Sequence, residues 1–197
     1  MRTSINGSVL LAGVCMMAAA VASGQETTSA KRLNAAFDVA ITYDASRANV
    51  IAGNIFWMQG GSIQMHGQFW HGLGAVADVA SLHTASLNTA GVGLDIVTAT
   101  FGPRYTWSPP HARYSLFGQA LAGEANGFNS TFPGTPQAVT NANSAVEQLG
   151  GGMNVTLKRH IALRVFEADW LRTQLPNSTT SVQNNLKLGA GVVLRIK

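Results

Sequence analysis

The sequence predicts an all-β fold, an eight-stranded antiparallel up-and-down transmembrane β-barrel. Three observations predict it. Apolar residues recur with a period of two, over segments close to the ~9–11 residues of a tilted membrane strand. Eight such segments are joined by connections that alternate between short and long. The 197 residues are 46% hydrophobic but only 11% charged, against roughly 25% charged in ordinary soluble domains. Such a chain has apolar surface to present to something other than water.

The first residues read as an export signal. Arg2 supplies a positive start, and Val9 to Ala22 form an apolar run too short to span a bilayer, which takes about 20 residues. Ala22-Ser23-Gly24 then offers small residues for cleavage after Gly24. Residues 1–24 are expected to be a signal peptide, 25–35 a lead-in and 36–197 the barrel domain. Cys15 is the one cysteine and lies inside the signal. A lipid anchor at Cys15 is the weaker alternative, because Val14 stands where such signals place a small residue.

The predicted strands are Ala36–Asp44, Ser62–Trp70, Leu73–Leu82, Leu94–Trp107, Ala112–Glu124, Val146–Leu157, His160–Thr173 and Asn185–Ile196. The clearest is the fourth. There Val97, Ala99, Phe101, Pro103, Tyr105 and Trp107 face one way, and Thr98, Thr100, Gly102 and Arg104 the other. The last repeats the pattern, with Leu186, Leu188, Ala190, Val192, Leu194 and Ile196 against Lys187, Gly189, Gly191 and Arg195. His71-Gly72, Ser108–His111 and Lys158-Arg159 are the short connections. Ala45–Gly61, His83–Gly93, Ala125–Ala145 and Gln174–Asn184 are the long ones, rich in Asn, Ser, Thr, Gly and Pro. Short turns toward the periplasm and long loops outward are the signature of an outer-membrane barrel. Closure removes the sheet edges that lipid cannot satisfy.

The same parity sorts the side chains. Asp38, Thr42, Gln64, His66, Gln68, Asp78, Arg104, Gln119, Gln148, Asn154, Lys187 and Arg195 turn inward. Tyr43, Trp70, Trp107 and Trp170 lie near strand ends, where aromatic residues favour the membrane–water interfaces. Strand seven breaks the rule, because Arg164 has the opposite parity to Glu167 and Asp169. One extra residue around Val165–Glu167, a β-bulge, would send Arg164, Glu167 and Asp169 inside and Trp170 outside. The interior set Asp38, Asp78, Glu167 and Asp169 then balances Arg104, Arg164, Lys187 and Arg195. An eight-stranded barrel is only wide enough for side chains to fill it, and buried charges must pair.

Four segments carry a resemblance: Phe101-Gly102-Pro103-Arg104-Tyr105, Leu149–Val155, Ile161–Val165 with Ala168-Asp169-Trp170, and Gly189–Arg195. Through them the chain resembles the small bacterial outer-membrane β-barrel domain family, the OmpA/OmpX-like barrel-only proteins of acidobacterial type. The resemblance covers roughly Ala36 to Lys197. It implies a bacterial outer-membrane location with membrane lipid and the barrel assembly machinery as partners. Barrels of this kind usually end in an aromatic residue, whereas this sequence ends Arg195-Ile196-Lys197.

A structural or surface-interaction role is the expected function, with paired charges plugging the interior; a narrow porin is the alternative. Lipid-modifying chemistry is the least favoured, since Ser62 and His66 share a strand with no orienting acid beside them. No cofactor or metal motif occurs and no enzyme is expected. The net charge of +4 is dispersed, so no nucleic-acid surface is expected. Loop Phe128–Asn143 lacks strong charge, which points any extracellular ligand toward neutral or glycan-like chemistry.

Overall fold

The computed structural model describes residues 36–48, 55–85, 93–133, 137–177 and 181–196. The expected signal peptide and lead-in lie outside the described residues, as does Lys197. Eight strands follow in chain order: β1 Ala36–Ala48, β2 Phe56–Trp70, β3 Leu73–Thr84, β4 Leu94–Trp107, β5 Tyr114–Phe128, β6 Ala142–Lys158, β7 Ile161–Thr173 and β8 Gln183–Ile196. Each pairs antiparallel with its sequence neighbour, and β8 returns to β1 with Asp38 opposite Arg195 and Arg47 opposite Leu186, closing the barrel.

The period-two alternation survives almost unbroken as an inside–outside alternation. Outward side chains are apolar along most of the wall, among them Ile41, Ile63, Val79, Phe101, Leu163, Val192 and Leu194. In water such a surface would be an aggregation hazard. In hydrocarbon it is the surface the barrel needs, because closure pairs each strand with a neighbour on both sides and leaves no open sheet edge.

The strands run further than expected at the long-loop end. β1 continues from Asp44 to Ala48, β2 begins at Phe56 rather than Ser62, β5 ends at Phe128 and β6 begins at Ala142. Gly60-Gly61 reads as loop in sequence, yet both glycines sit in register in β2. A Cβ at Gly60 would run into the Ser81 carbonyl of β3, so glycine here permits close approach of two strands rather than a turn. At the other end β5 begins at Tyr114 rather than Ala112, and the β6–β7 turn is Arg159-His160 rather than Lys158-Arg159.

His71-Gly72 forms the expected two-residue hairpin. Both residues have positive φ, 39° and 92°, as a turn that follows the strand twist requires. The Gly72 carbonyl accepts a hydrogen bond from the Thr106 amide at 2.7 Å, which ties this turn to the end of β4.

The register of β7 shifts against both of its neighbours between Arg164 and Glu167, with a second shift against β6 alone between Thr156 and Lys158, next to the turn. Arg164 opposes Asn154 and Gly191, Glu167 opposes Gly152 and Gly189, and the extra residue falls between them. Val165 and Phe166 are therefore both outward, and Arg164, Glu167 and Asp169 are all buried. The bulge resolves the parity conflict in β7 without breaking the alternation on either side of it.

Candidate functional site

The candidate site is the barrel interior, in three layers. The middle layer holds Arg104, Arg164 and Lys187 with Asp44, Asp78, Glu167 and Asp169, all buried. Arg164 on β7 donates from Nη1 to Glu167 Oε2 at 2.8 Å and to Gln64 Oε1 at 2.5 Å, and from Nε to Asn154 Oδ1 at 3.1 Å. Arg104 on β4 donates from Nη2 to Gln64 Oε1 at 2.5 Å and from Nε to Gln119 Oε1 at 3.0 Å. Gln119 in turn donates from Nε2 to Glu167 Oε1 at 2.8 Å and Asp169 Oδ1 at 3.0 Å. The two glutamines, neutral and bifunctional, thus carry each guanidinium's hydrogen bonding across the lumen to the carboxylates.

Lys187 on β8 closes the circuit. Its Nζ lies 3.0 Å from Asp78 Oδ2 and 3.5 Å from Asp169 Oδ2. Gln148 Nε2 donates to Asp169 Oδ2 at 2.9 Å and to Asp78 Oδ2 at 3.3 Å. Phe117 of β5 also points inward, with the Arg104 and Arg164 guanidinium carbons 4.3 Å and 4.7 Å from its ring centre. Two like-charged groups converge there, and the ring's negative face helps hold them.

Glycines make room for this layer. A Cβ at Gly150 would collide with Asp169 Oδ1, and one at Gly189 with Asp44 Oδ1. A Cβ at Gly152 would stand 2.9 Å from Phe117 Cζ. Gly150-Gly151-Gly152 therefore relieves crowding inside and between strands; it does not form a phosphate loop.

The short-turn layer is looser. His66 Nδ1 lies 3.4 Å from Asp38 Oδ2, and Arg195 Nε 4.0 Å from Asp38 Oδ1. Arg195 also donates to Thr156 Oγ1 at 2.9 Å. Asp38 and Arg195 keep about a quarter of their side-chain surface exposed, 23% and 25%. The structure thus divides the predicted polar residues: Asp78, Arg104, Arg164, Glu167, Asp169 and Lys187 are brought together, while Asp38, His66 and Arg195 form a separate group at the mouth.

The long-loop layer is apolar. Ala48, Met58, Leu82, Leu94, Ile96, Ala125 and Val146 point inward from the strands, and Phe132 and Leu175 fold in from the loops to join them. Gln183 fixes the latter through both ends of its amide, accepting from Leu175 N at 2.9 Å and donating to Leu175 O at 2.7 Å. Phe132 is held by paired backbone hydrogen bonds with Val139 at 2.8 and 2.9 Å.

Three features of the interior go unread in the sequence. Asp44 is fully buried and, among the described residues, makes five interior carboxylates against four cations, where the sequence reading balances four against four; that reading ends the first strand at Asp44, although Asp44 shares the parity of Thr42. Phe117 is an inward aromatic among polar neighbours. The apolar layer has the inward parity of Asp78 and Arg104, and following that parity along Leu82, Leu94 and Ile96 would have found it.

On the outside, Tyr43, Trp70, Trp107 and Trp170 all face away from the lumen and are exposed. Tyr43 donates from its hydroxyl to Gln59 Oε1 at 2.8 Å. Phe69, Tyr105 and Tyr114 join Trp70 and Trp107 at the short-turn end, and Trp57, on a segment expected to be loop, stands at the other. Ser62 and His66 both point into the lumen, where Ser62 Oγ lies 2.5 Å from Thr42 Oγ1. They are not on the lipid-facing wall where a lipid hydrolase would need them. At the long-loop rim His83 Nδ1 lies 2.5 Å from Asp95 Oδ1. Among the described residues no group of three or more His, Cys, Asp or Glu is arranged to hold a metal ion.

No family model matches the sequence. No curated protein matches it either. Solved structures do match its fold. Neisserial surface protein A (NspA) superposes with a TM-score of 0.62 at 11% identity, over 82% of this chain and 99% of that one. Ail, the attachment invasion locus protein of Yersinia pestis, solved in complex with the heparin analogue sucrose octasulfate, gives 0.52 at 17% identity over 81% and 99%. The outer membrane protein OprG of Pseudomonas aeruginosa gives 0.50 at 8% identity over 82% and 96%. The chain has the fold of the small eight-stranded outer-membrane β-barrels.

Proposed function

We propose that this protein is exported to the bacterial outer membrane, inserted there by the barrel assembly machinery, and serves as a structural or surface-interaction barrel with a plugged interior. The observation that carries this reading is the stacking of the interior: a hydrogen-bonded charge network across the middle, with an apolar layer above it that includes two loop residues, Phe132 and Leu175. An ion entering from outside would meet hydrocarbon first and next a layer of buried charges tied together by ion pairs and glutamine hydrogen bonds. The narrow-porin reading has no comparable support.

Planar-bilayer recording from the purified, folded chain tests the plug. The expected result is a membrane whose conductance stays at the protein-free level; discrete channel openings at ordinary salt would overturn it. Heat-modifiable gel mobility of the membrane fraction tests location and barrel together, with a folded band that shifts on boiling expected.

The surface role rests on the outer end. Loops there carry Asn, Ser, Thr and Gly with little charge, a chemistry suited to hydroxyl-rich, neutral or glycan-like surfaces. Ail, of the same fold, was solved in complex with the heparin analogue sucrose octasulfate; that ligand is a polyanion, so the parallel is a barrel of this architecture carrying an extracellular ligand, while the neutral chemistry is inferred from the loop residues of this chain alone. Replacing residues 133–138 by a Gly-Ser segment, with Phe132 and Val139 retained to keep the mouth packed, should lower binding to a glycan array or to cells severalfold. Unchanged binding would count against the loop as the contact.

A further inference from the structure

Among the described residues, the carboxylates on the outside of the barrel are confined to one end, whereas cations stand at both: Arg47 and Arg172 point outward near the long-loop ends of β1 and β7, with Arg172 Nη1 3.6 Å from Glu147 Oε2. The outward carboxylates, Asp95, Glu124 and Glu147, all stand in the half nearer the long loops. At the short-turn end the exposed ionisable groups are Arg113, Lys158 and Arg159 with His71, His111 and His160. Asp38 is the one carboxyl group among the described residues at that end, and it faces inward to His66 and Arg195.

The three permanent cations are neighbours. The Thr156 amide donates to the Arg113 carbonyl at 2.6 Å, which sets the β4–β5 turn against the end of β6, two residues from Lys158. Arg159 follows directly in the β6–β7 turn. The His160 carbonyl accepts from the Arg195 amide at 2.9 Å, holding that turn against β8. Because the turns are short, these cations stay close to the level of the outward residues Trp107, Tyr114, Leu157 and Ile161. Aromatic and long apolar residues at a strand end mark the height of the lipid headgroups. Cations at that height sit among phosphates, and a cluster of them attracts anionic lipid.

We propose that Arg113, Lys158 and Arg159, framed by Tyr114 and Leu157, form a binding surface for anionic phospholipid headgroups of the leaflet on the short-turn side. Apolar side chains seat the acyl region and the cations take the phosphate, so the surface prefers a lipid with net negative charge over a zwitterionic one. This inference rests on the membrane-spanning reading above. Its occupant is lipid rather than cell-wall polymer because the cations lie beside the apolar belt and not on a segment projecting past it.

The test uses the full chain folded into phosphatidylcholine vesicles, with Trp57, Trp70 and Trp170 each replaced by Phe so that Trp107, at the end of β4, is the reporter. A fixed fraction of brominated phosphatidylglycerol or brominated phosphatidylcholine is included. Brominated phosphatidylglycerol is expected to quench Trp107 as though it were locally enriched by roughly two- to fivefold, and 0.5 M salt, a test concentration chosen to screen charges to about 4 Å, should diminish the difference. The variant Arg113→Gln/Lys158→Gln/Arg159→Gln should quench equally with both lipids; Arg159→Gln alone should lose part of the preference if the triple variant folds poorly. A folded, heat-modifiable barrel that shows no preference, or a preference that survives the triple substitution, would overturn the proposal. Equal quenching together with binding of the solubilised chain to purified peptidoglycan, lost in the triple variant, would assign the surface to the cell wall instead. Failure of the unsubstituted chain to show heat-modifiable mobility would count against the barrel reading itself.

Discussion

Arg164→Met should be the most destabilising single substitution in the barrel, costing about 3–5 kcal/mol, the cost of removing one partner of a buried ion pair. Arg164 and Glu167 are each only 1% exposed, so water cannot replace the lost partner. The substitution also takes from Asn154 Oδ1 the donor that Arg164 supplied, leaves Gln64 Oε1 with Arg104 alone, and removes one of the two cations over Phe117. Urea unfolding in phospholipid vesicles, followed by tryptophan fluorescence, measures the loss. The companion Arg164→Met/Glu167→Gln separates charge from packing. It leaves no carboxylate newly stripped of its cation, so it should recover more than half of the lost stability. If the double variant is as unstable as the single one, the cost is steric and the electrostatic account fails.

Lys187→Met should have an effect of similar size through a different geometry. Lys187 Nζ is shared between Asp78 and Asp169, so one substitution leaves two carboxylates facing each other across the lumen with only Gln148 donating to both. Methionine has nearly the volume of the lysine stem, which keeps the cavity term small. The expected loss is about 3–5 kcal/mol, most of it restored by adding Asp78→Asn. Folding yield into vesicles at fixed lipid ratio gives a second readout, since a chain that cannot bury its interior does not close. A Lys187→Met barrel with unchanged midpoint and yield would show that the network is solvated and that the interior is not dry.

Both predictions concern residues whose inward direction is legible without coordinates. Arg104, Asp78 and Lys187 face the lumen because strand side chains alternate, and each stands opposite in parity to an apolar run that lipid requires. In β7 the alternation fails, and the failure itself locates the bulge, since no other single insertion sends Arg164, Glu167 and Asp169 to one side. Sequence reading falls short where composition interrupts the alternation. Gly60-Gly61 resembles a loop because glycine has no face, so the outer part of β2, and Trp57 with it, reads as a connection. Asp44 reads as the last residue of the first strand for the same reason, whereas β1 continues four residues past it and carries it into the lumen.

What the sequence determined by itself is local and periodic: eight strands, their order, the alternation of short turns with long loops, and the facing of most side chains. These depend on neighbours one or two residues away, and a one-residue slip would turn every apolar side chain into the lumen. Which inward groups meet is another matter. Gln64 bonds Glu167, 103 positions away, and Lys187 bonds Asp78, 109 positions away; these contacts exist only once closure and strand tilt set the height of each strand against those across the lumen. The apolar mouth was likewise decided by tertiary structure, because Phe132 and Leu175 come from loops without periodicity and acquire an inside only when the barrel supplies one.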